Sequence, residues 1–486
     1  EIGLLAERWK QAQVGHGTVV LLSGEAGIGK SRLIEAMAKQ VSEDGGEIIR
    51  LQCSPYFASS ALHPVIERIR RAARIAQADD DTAQLVKLRD LLAREGGDPE
   101  TTLRIYAGLL SIEMPPDCAA PDLMPDELKE LTLQVLLERP AELSRKAPLL
   151  LVLEDAHWID PSTSELMERL VARVAELPVM IVVTHRPEWS TDWSGMFGHV
   201  TALTVGRLDR SHIAELMEKT FGYPPSPDLV DDIAQRTEGV PLFIEEFCQA
   251  IAGQTDADSA GEVTIPATLQ GSLMSRLDRL PREARSLALV ASVIGREFDT
   301  MLLRQVTGIT SAALEEGLAA LRQMQVIFAC GSTSGSYHFP HALIQDTAYQ
   351  SLLKRTRQSH HGAVARTLET HHPEILAREP ELVAHHYAAA GDDSAARPLW
   401  MRAAERAYSR SAAFEAVSHA REAFRTARGS GRHEIEARIM LGRALQCAGQ
   451  IGPANQTLRE AIDLARVLDD NALFADAVLT FANTLY

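Results

Sequence analysis

Residues 22–33 read LSGEAGIGKSRL, and within them Gly24-x4-Gly29-Lys30-Ser31 places glycines, an ammonium and a hydroxyl at the spacing of a phosphate-binding loop. Each residue type answers a chemical need. Gly24, Gly27 and Gly29 let backbone N–H groups converge on a β-phosphate without side chains in the way. Lys30 is placed to reach β- and γ-oxygens, Ser31 to coordinate Mg²⁺, and Arg32 follows them into the nucleotide contacts. A phosphate loop also needs acidic groups for the metal and for water. PLLLVLEDAHWID (148–160) supplies Glu154 and Asp155 after an apolar run. Glu154 is expected to hold the magnesium shell with Ser31, and Asp155 to polarise the attacking water. The next apolar run ends Val183-Thr184-His185-Arg186-Pro187. Arg186 at that rim is expected to touch the γ-phosphate and so tell ATP from ADP; the alternative is a surface ion pair. The expected catalytic set is therefore Asp155, Glu154, Lys30 and Arg186.

These residues need a scaffold that brings strand ends to one edge. The first two hundred residues alternate β-rich runs with helical stretches, the pattern of a parallel sheet with crossover helices. Val19–Ser23, Glu47–Gln52, Leu149–Leu153 and Val179–Thr184 read as strands, with Thr201–Val205 as an edge strand. Helices are expected at Ser31–Val41, Leu62–Gln77 and Ser162–Glu176, and Pro140 is expected to break or kink one across Asp126–Arg145. Three short helices follow at Ser211–Phe221, Asp228–Thr237 and Pro241–Ala252. GQTDADSAGE (253–262) reads as a linker.

Beyond the linker, helices at Thr268–Leu280, Arg282–Val293 and Thr310–Met324 precede a hairpin pairing Val326–Ala329 with Ser336–Phe339. A helix then starts at His341. Helices followed by a two-stranded wing describe a winged-helix domain. The last hundred residues are helical and repetitive: Phe414–Ala427 superposes on Gly452–Ala465, matching Ala416 with Ala454, Ala423 with Ala461 and Ala427 with Ala465. Small residues at fixed spacing let paired helices pack closely, as in tetratricopeptide-like solenoids; an Ala-rich bundle is the alternative. The expected order is a P-loop core (1–207), a helical lid (208–253), a linker (254–264), a winged helix (265–356) and repeats (357–486). The fold class is an α/β P-loop NTPase, with helices on both faces of a parallel sheet, followed by helical lid, winged helix and all-α tetratricopeptide-like repeats.

The chain has 486 residues, enough for several domains, with 45% hydrophobic and 24% charged residues, an ordinary globular composition. A net charge of −17 argues against extended contact with nucleic acid. Cys53, Cys118, Cys248, Cys330 and Cys447 are scattered, which fits free thiols in a reducing cytoplasm. No apolar run approaches the ~18–20 residues that cross a bilayer. The histidine pairs 360–361, 371–372 and 385–386 lack the partners a zinc site wants. The chain starts without methionine and ends inside a helical pattern, as a piece of something larger would.

The sequence resembles the STAND class of signal-transduction ATPases, a branch of AAA+-like P-loop proteins. More narrowly it resembles the ATPase-plus-repeat module attached to bacterial class III adenylate/guanylate cyclases. The stretches that carry this are CSPYFASSALHPVIERI (53–69), LEDAHWIDPSTSELMERL (153–170), VTHRPEW (183–189), TEGVPLFIEE (237–246), IPATLQGSLMSRLDRL (265–280), VIGREF (293–298) and HFPHALIQDTAY (338–349). The resemblance implies that Pro241, in Gly239-Val240-Pro241, packs on adenine. It also implies that His341 reaches the ADP β-phosphate and locks a closed state, although a helix-capping histidine after Pro340 remains open. Trp158 and Asp160 orient the acidic loop on this reading; a plain N-cap role for Asp160 is equally open. Three features depart from the family pattern: His185 stands where an aromatic is commoner, the adenine-touching segment before the first helix is absent, and Pro140 lies inside a helix.

On this basis the expected ligands are ATP or ADP and Mg²⁺. The expected function is a slowly hydrolysing switch, ADP-closed and ATP-open, that controls an effector outside this chain. The repeats would take a protein or small-molecule signal, and ATP-dependent oligomers fit the class; no nucleic acid or membrane contact is expected. The alternatives are the ATPase module of a transcriptional regulator with a C-terminal helix-turn-helix, and a ring-type remodelling motor.

Overall fold

A computed structural model describes residues 1–76, 79–95, 99–114, 124–255, 269–330, 335–340 and 342–482. The chain divides into two compact units. The first comprises residues 1–23, 33–203 and 373–486, and the second residues 24–32 and 204–372.

The first unit is built on strands β1 (Thr18–Ser23), β2 (Glu47–Gln52), β3 (Leu149–Glu154), β4 (Val179–His185) and β5 (Val200–Thr204), in the order β2-β3-β4-β1-β5. β2 with β3, β3 with β4 and β4 with β1 pair in parallel. TVVLLS, LLLVLE and VMIVVTH are continuous apolar runs because both faces of a parallel sheet are covered; Val20, Leu150, Val152 and Val182 are fully buried.

Around the sheet lie α1 (Ile2–Gln13), α2 (Lys30–Glu43), α3 (His63–Ala72), α4 (Asp81–Glu95), α5 (Pro99–Leu110), α6 (Pro125–Ser144), α7 (Pro161–Arg173) and the short α8 (Trp193–Met196). α3 is shorter than its sequence suggests. Leu62 adopts left-handed backbone at its N-cap, and Ala73 closes it, with Arg74 in left-handed backbone just beyond. α6 corrects the Pro140 expectation: the helix runs unbroken through Pro140 to Ser144. Pro140 removes one N–H near the helix end, where buried Leu133, Leu136 and Leu137 already hold the helix against the core.

The same unit contains α18 (Pro373–Arg378), α19 (Pro380–Ala390), α20 (Asp393–Ser409), α21 (Ala413–Ala427), α22 (Arg432–Cys447), α23 (Ile451–Val467) and α24 (Asn471–Ala482), the helices with odd and even numbers stacking as neighbours. The alanines matched by sequence, Ala416, Ala423, Ala427, Ala454, Ala461 and Ala465, are all fully buried. A Cβ on Gly442 of α22 would sit 2.4 Å from a Leu458 methyl on α23, so this pair tolerates no larger residue there.

The second unit holds α9 (Arg210–Phe221), α10 (Pro227–Thr237) and α11 (Pro241–Thr255), which share a core of Ile213, Met217, Val230, Ile233, Ile244 and Cys248. α12 (Leu269–Asp278), α13 (Arg282–Ile294), α14 (Thr300–Thr307), α15 (Ser311–Gln323), α16 (Ala342–Ser351) and α17 (Lys354–His371) follow. Between them, β7 (Phe328–Ala329) pairs antiparallel with β8 (Ser336–His338), as the hairpin reading requires. A third strand, β6 (Glu297–Asp299), pairs with the outer side of β8. Of the linker reading, only residues 254–255 are described, and they end α11.

Cys53, Cys248 and Cys447 are free, the Cys330 thiol lies 3.5 Å from His338 Nδ1, and Cys118 lies outside the described residues. Burial pushes the Cys248 thiol up to about 12. Among the described residues no helix is long and apolar enough to cross a membrane. The paired histidines have ordinary packing roles: His361 bonds the Tyr349 hydroxyl at 2.9 Å and His372 bonds Gln305 at 2.7 Å.

Candidate nucleotide site

The loop between β1 and α2 has the backbone a phosphate cradle demands. Gly27 and Gly29 adopt φ of +80° and +107°, the left-handed region that costs any other residue free energy. Both are needed to turn successive N–H groups toward one point. The Lys30 ammonium folds back over the loop and donates to the carbonyls of Gly24 at 2.6 Å and Glu25 at 2.9 Å. Ser31 is exposed at the start of α2. Arg32 is also exposed, and it pairs with Glu245 at 2.7 Å on α11.

α11 meets this loop directly. The Leu242 amide donates to the Gly27 carbonyl at 3.2 Å. A Cβ on Gly27 would lie 2.8 Å from the Leu242 Cβ, so the Leu242 side chain covers the glycine. Pro241, at the first turn of α11, is thereby held one residue from the phosphate loop. Behind it, Arg207 links Glu25 at 2.9 Å to Glu238, and Glu238 itself adopts φ of +49°.

Because β1, β4 and β3 run in parallel, their last residues share one edge of the sheet. Glu154 ends β3 there, with Arg50 of β2 4.0 Å away. Arg50 also pairs with Glu35 of α2, and that hydrogen bond holds the Glu35 carboxyl below its usual range. Asp155 follows with φ of +57°, a conformation held by two contacts. Its amide donates to the Thr184 hydroxyl at 3.0 Å, and its carboxylate accepts from Gln52 at 3.0 Å. The acidic pair is thus presented by three neighbouring strands.

Sequence reasoning missed Arg50, Gln52 and Thr184. The usable signal was position: Gln52 is the last residue of β2 and stands in register with Glu154, while Thr184 is next to last in β4.

Arg186 leaves β4 with its guanidinium 5.2 Å from the centre of the Trp158 ring. Among the described residues it makes no ion pair. His185 is buried, packs on Trp189 and bonds the Arg186 carbonyl at 2.8 Å. Asp160 is the N-cap of α7: it accepts from the Thr163 amide and hydroxyl and from the Leu62 amide at 2.9 Å. Burial pushes its carboxyl up to about 7 despite those donors. His341 lies outside the described residues.

Comparison with known proteins decides the first part of this assembly: residues 1–182 match the AAA ATPase domain family. These residues are similar to an AAA ATPase domain. The matched span includes the loop, Glu154 and Asp155. Over nearly the whole chain there is similarity to an uncharacterized protein of Rhizobium meliloti (strain 1021), 28% identical over 490 residues, covering 96% of this chain and 47% of that protein. The chain thus spans about half the length of that curated relative.

Among solved structures, one similar chain is a Signal Transduction ATPase with Numerous Domains (STAND) protein with a tetratricopeptide repeat sensor from Pyrococcus horikoshii. It is 11% identical, with a TM-score of 0.40, covering 99% of this chain and 79% of that one. A second is a RuvB variant of Thermotoga maritima, 14% identical, with a TM-score of 0.30, covering 72% of this chain and 94% of that one.

Proposed function

We propose that the chain is the regulatory ATPase and sensor part of a STAND-type switch: it binds ATP, hydrolyses it slowly and transmits the nucleotide state to an effector outside these residues. The observation that carries this reading is the direct contact of α11 with the phosphate loop, through Leu242 and Gly27. A helix that rests on the loop senses any change in the loop's shape or charge. Helices that follow in the chain inherit that signal.

The roles divide among the chain's own groups. Lys30 exchanges the carbonyls of Gly24 and Glu25 for phosphate oxygens, which frees the loop to close around them. Ser31 on the loop and Glu154 at the end of β3 are the groups that would hold Mg²⁺, which would supply charge to neutralise phosphate oxygens. Asp155, fixed by Gln52 and Thr184, orients water. Arg186, held on Trp158 rather than by a carboxylate, keeps its donors for the γ-phosphate. Pro241 packs on adenine and His341 completes the ADP-closed state, with the hairpin domain acting as clamp and the paired helices as a tetratricopeptide-like sensor. The effector is an adenylate/guanylate cyclase on this reading.

Nucleotide acts only through its differential affinity for closed and open forms. Hydrogen exchange across residues 241–255 tests this: ADP should protect the start of α11 more than ATP does. Equal protection by the two nucleotides, with both bound, would refute a switch and leave a nucleotide-binding scaffold.

A further inference from the structure

In the first unit, helices of residues 33–203 and the paired helices border an open cavity of about 50 Å³. Its charged wall comes from Arg70 on α3, Arg378 on α18, and Arg406 and Arg410 at the end of α20. We infer that this cavity binds a small, multiply charged anion, carboxylate or phosphate in type, whose oxygens bridge Arg406 and Arg410 and tie the paired helices to the ATPase part.

The argument starts from unmatched charge. Arg70 is accounted for, because it pairs with Glu67 and, at 3.7 Å, with Glu379. His63, Glu67 and Glu379 bring ligand atoms within 4.8 Å of one another, but Arg70 neutralises that group as an ion-pair network. The other three guanidiniums have only neutral acceptors. Arg378 donates to Gln84 at 3.2 Å. Arg406 donates to the carbonyls of Ala377 and Arg378 and to the Ser111 hydroxyl at 2.7 Å. Arg410 donates to the Gly108 carbonyl at 3.1 Å and to Ser111 at 2.9 Å. Among the described residues none of the three forms an ion pair.

Three partly buried cations that form no direct ion pair are costly, and each shows it. Burial lowers all three below the ordinary arginine value, Arg410 to about 10, and the Arg406 charge pushes Arg410 the same way. The acidic groups of the wall do not offset this. Glu381 favours the charges of Arg406 and Arg410, and Glu379 those of Arg378 and Arg406, but among the described residues neither stands at ion-pair distance from them, and burial pushes Glu379 up to about 7, so it is only partly ionised at neutral pH. Burial holds His63, down to about 4, and His419 neutral. The wall therefore carries excess positive charge. Guanidinium forks match the planar oxygen pairs of carboxylates and phosphates, and a cavity of about 50 Å³ suits a phosphate-sized anion.

Occupancy of this cavity does not depend on the nucleotide proposal; only its use as a sensed signal rests on that reading. The test uses the full chain without nucleotide, thermally unfolded in phosphate, succinate or citrate at an ionic strength matched with sodium chloride. At least one probe should raise Tm saturably, by about 2–4 °C at roughly ten times its dissociation constant. Phosphate and the carboxylates in separate arms decide the anion's type. Arg378→Gln, Arg406→Gln and Arg410→Gln should weaken the response at least tenfold. Arg425→Gln, on an exposed face of α21, should leave it unchanged. Lys30→Ala should keep the response while losing ATP, which separates this site from the phosphate loop. A Tm indifferent to every probe beyond the chloride control would overturn the inference, as would a response unaltered in all three arginine variants or one lost with Lys30.

Discussion

Replacing Gly27 with alanine probes the contact between α11 and the phosphate loop most directly. Two costs add. A non-glycine residue at φ of +80° is strained by about 1–2 kcal/mol. The new methyl also lands 2.8 Å from the Leu242 Cβ and 2.9 Å from its Cδ2, so one of them must move. Overpacking of this kind costs about 1–3 kcal/mol. The combined strain is about 2–5 kcal/mol, and if the loop relieves it by leaving its binding shape, ADP affinity falls at least ~30-fold. Calorimetry measures that loss, and hydrogen exchange should show residues 241–245 opening as the Leu242 amide loses its acceptor. Adding Leu242→Ala removes the clash but not the backbone strain, so the double variant should regain part of the affinity. Wild-type ADP affinity with unchanged exchange in α11 would refute the reasoning, because the loop and helix would then not be coupled.

Lys30→Ala should abolish nucleotide binding while the far-ultraviolet dichroism stays the same; retained ATP affinity would remove Lys30 from the site. Arg186→Ala should weaken ATP by about tenfold or more and leave ADP alone, since a charge-assisted hydrogen bond is worth about 1.5–3 kcal/mol; equal losses for both nucleotides would place Arg186 elsewhere. Asp160 gives a pH signature. Its folded pKa lies near 7 rather than 3.8, so the native state holds a proton that the unfolded state has lost. Its contribution is fully present below about 4 and is lost as pH rises toward about 7, on the order of 3–4 kcal/mol in all. The Tm of wild type minus that of Asp160→Asn should therefore fall across that window, and a flat difference would show that Asp160 ionises normally. Steady turnover should stay below ~1 s⁻¹; rates of ordinary enzymes would favour the motor alternative.

What the sequence makes legible follows from how local each signal is. The phosphate loop depends on a strand, three glycines and a helix start within fifteen or so residues, and it is found where the spacing puts it. The buried alanines of α21 and α23 are legible for the same reason, since their spacing repeats along one chain segment. β6 escapes notice because it is three residues long and owes its existence to β8, almost forty residues away. Gln52 and Arg50 look like ordinary polar strand residues until the register of β2 on β3 sets them beside Glu154. The Leu242–Gly27 bond joins residues more than two hundred positions apart, and no periodicity encodes it. Pro140 misleads in the other direction: its local preference is overridden by the leucines that α6 buries.

The start of α7 depends on a residue far along the chain. The Ser162 amide donates at 2.9 Å to Glu415 of α21, a carboxylate only 1% exposed, and Ser59 and Ser60 bond Ser418 and Glu381 nearby. The paired helices therefore cannot be treated as an interchangeable attachment. Shortening the chain at residue 372 would strip an acceptor from the first turn of α7 and expose the surface that the paired helices cover. Replacing the paired helices should succeed only where the replacement brings an acid to the place of Glu415.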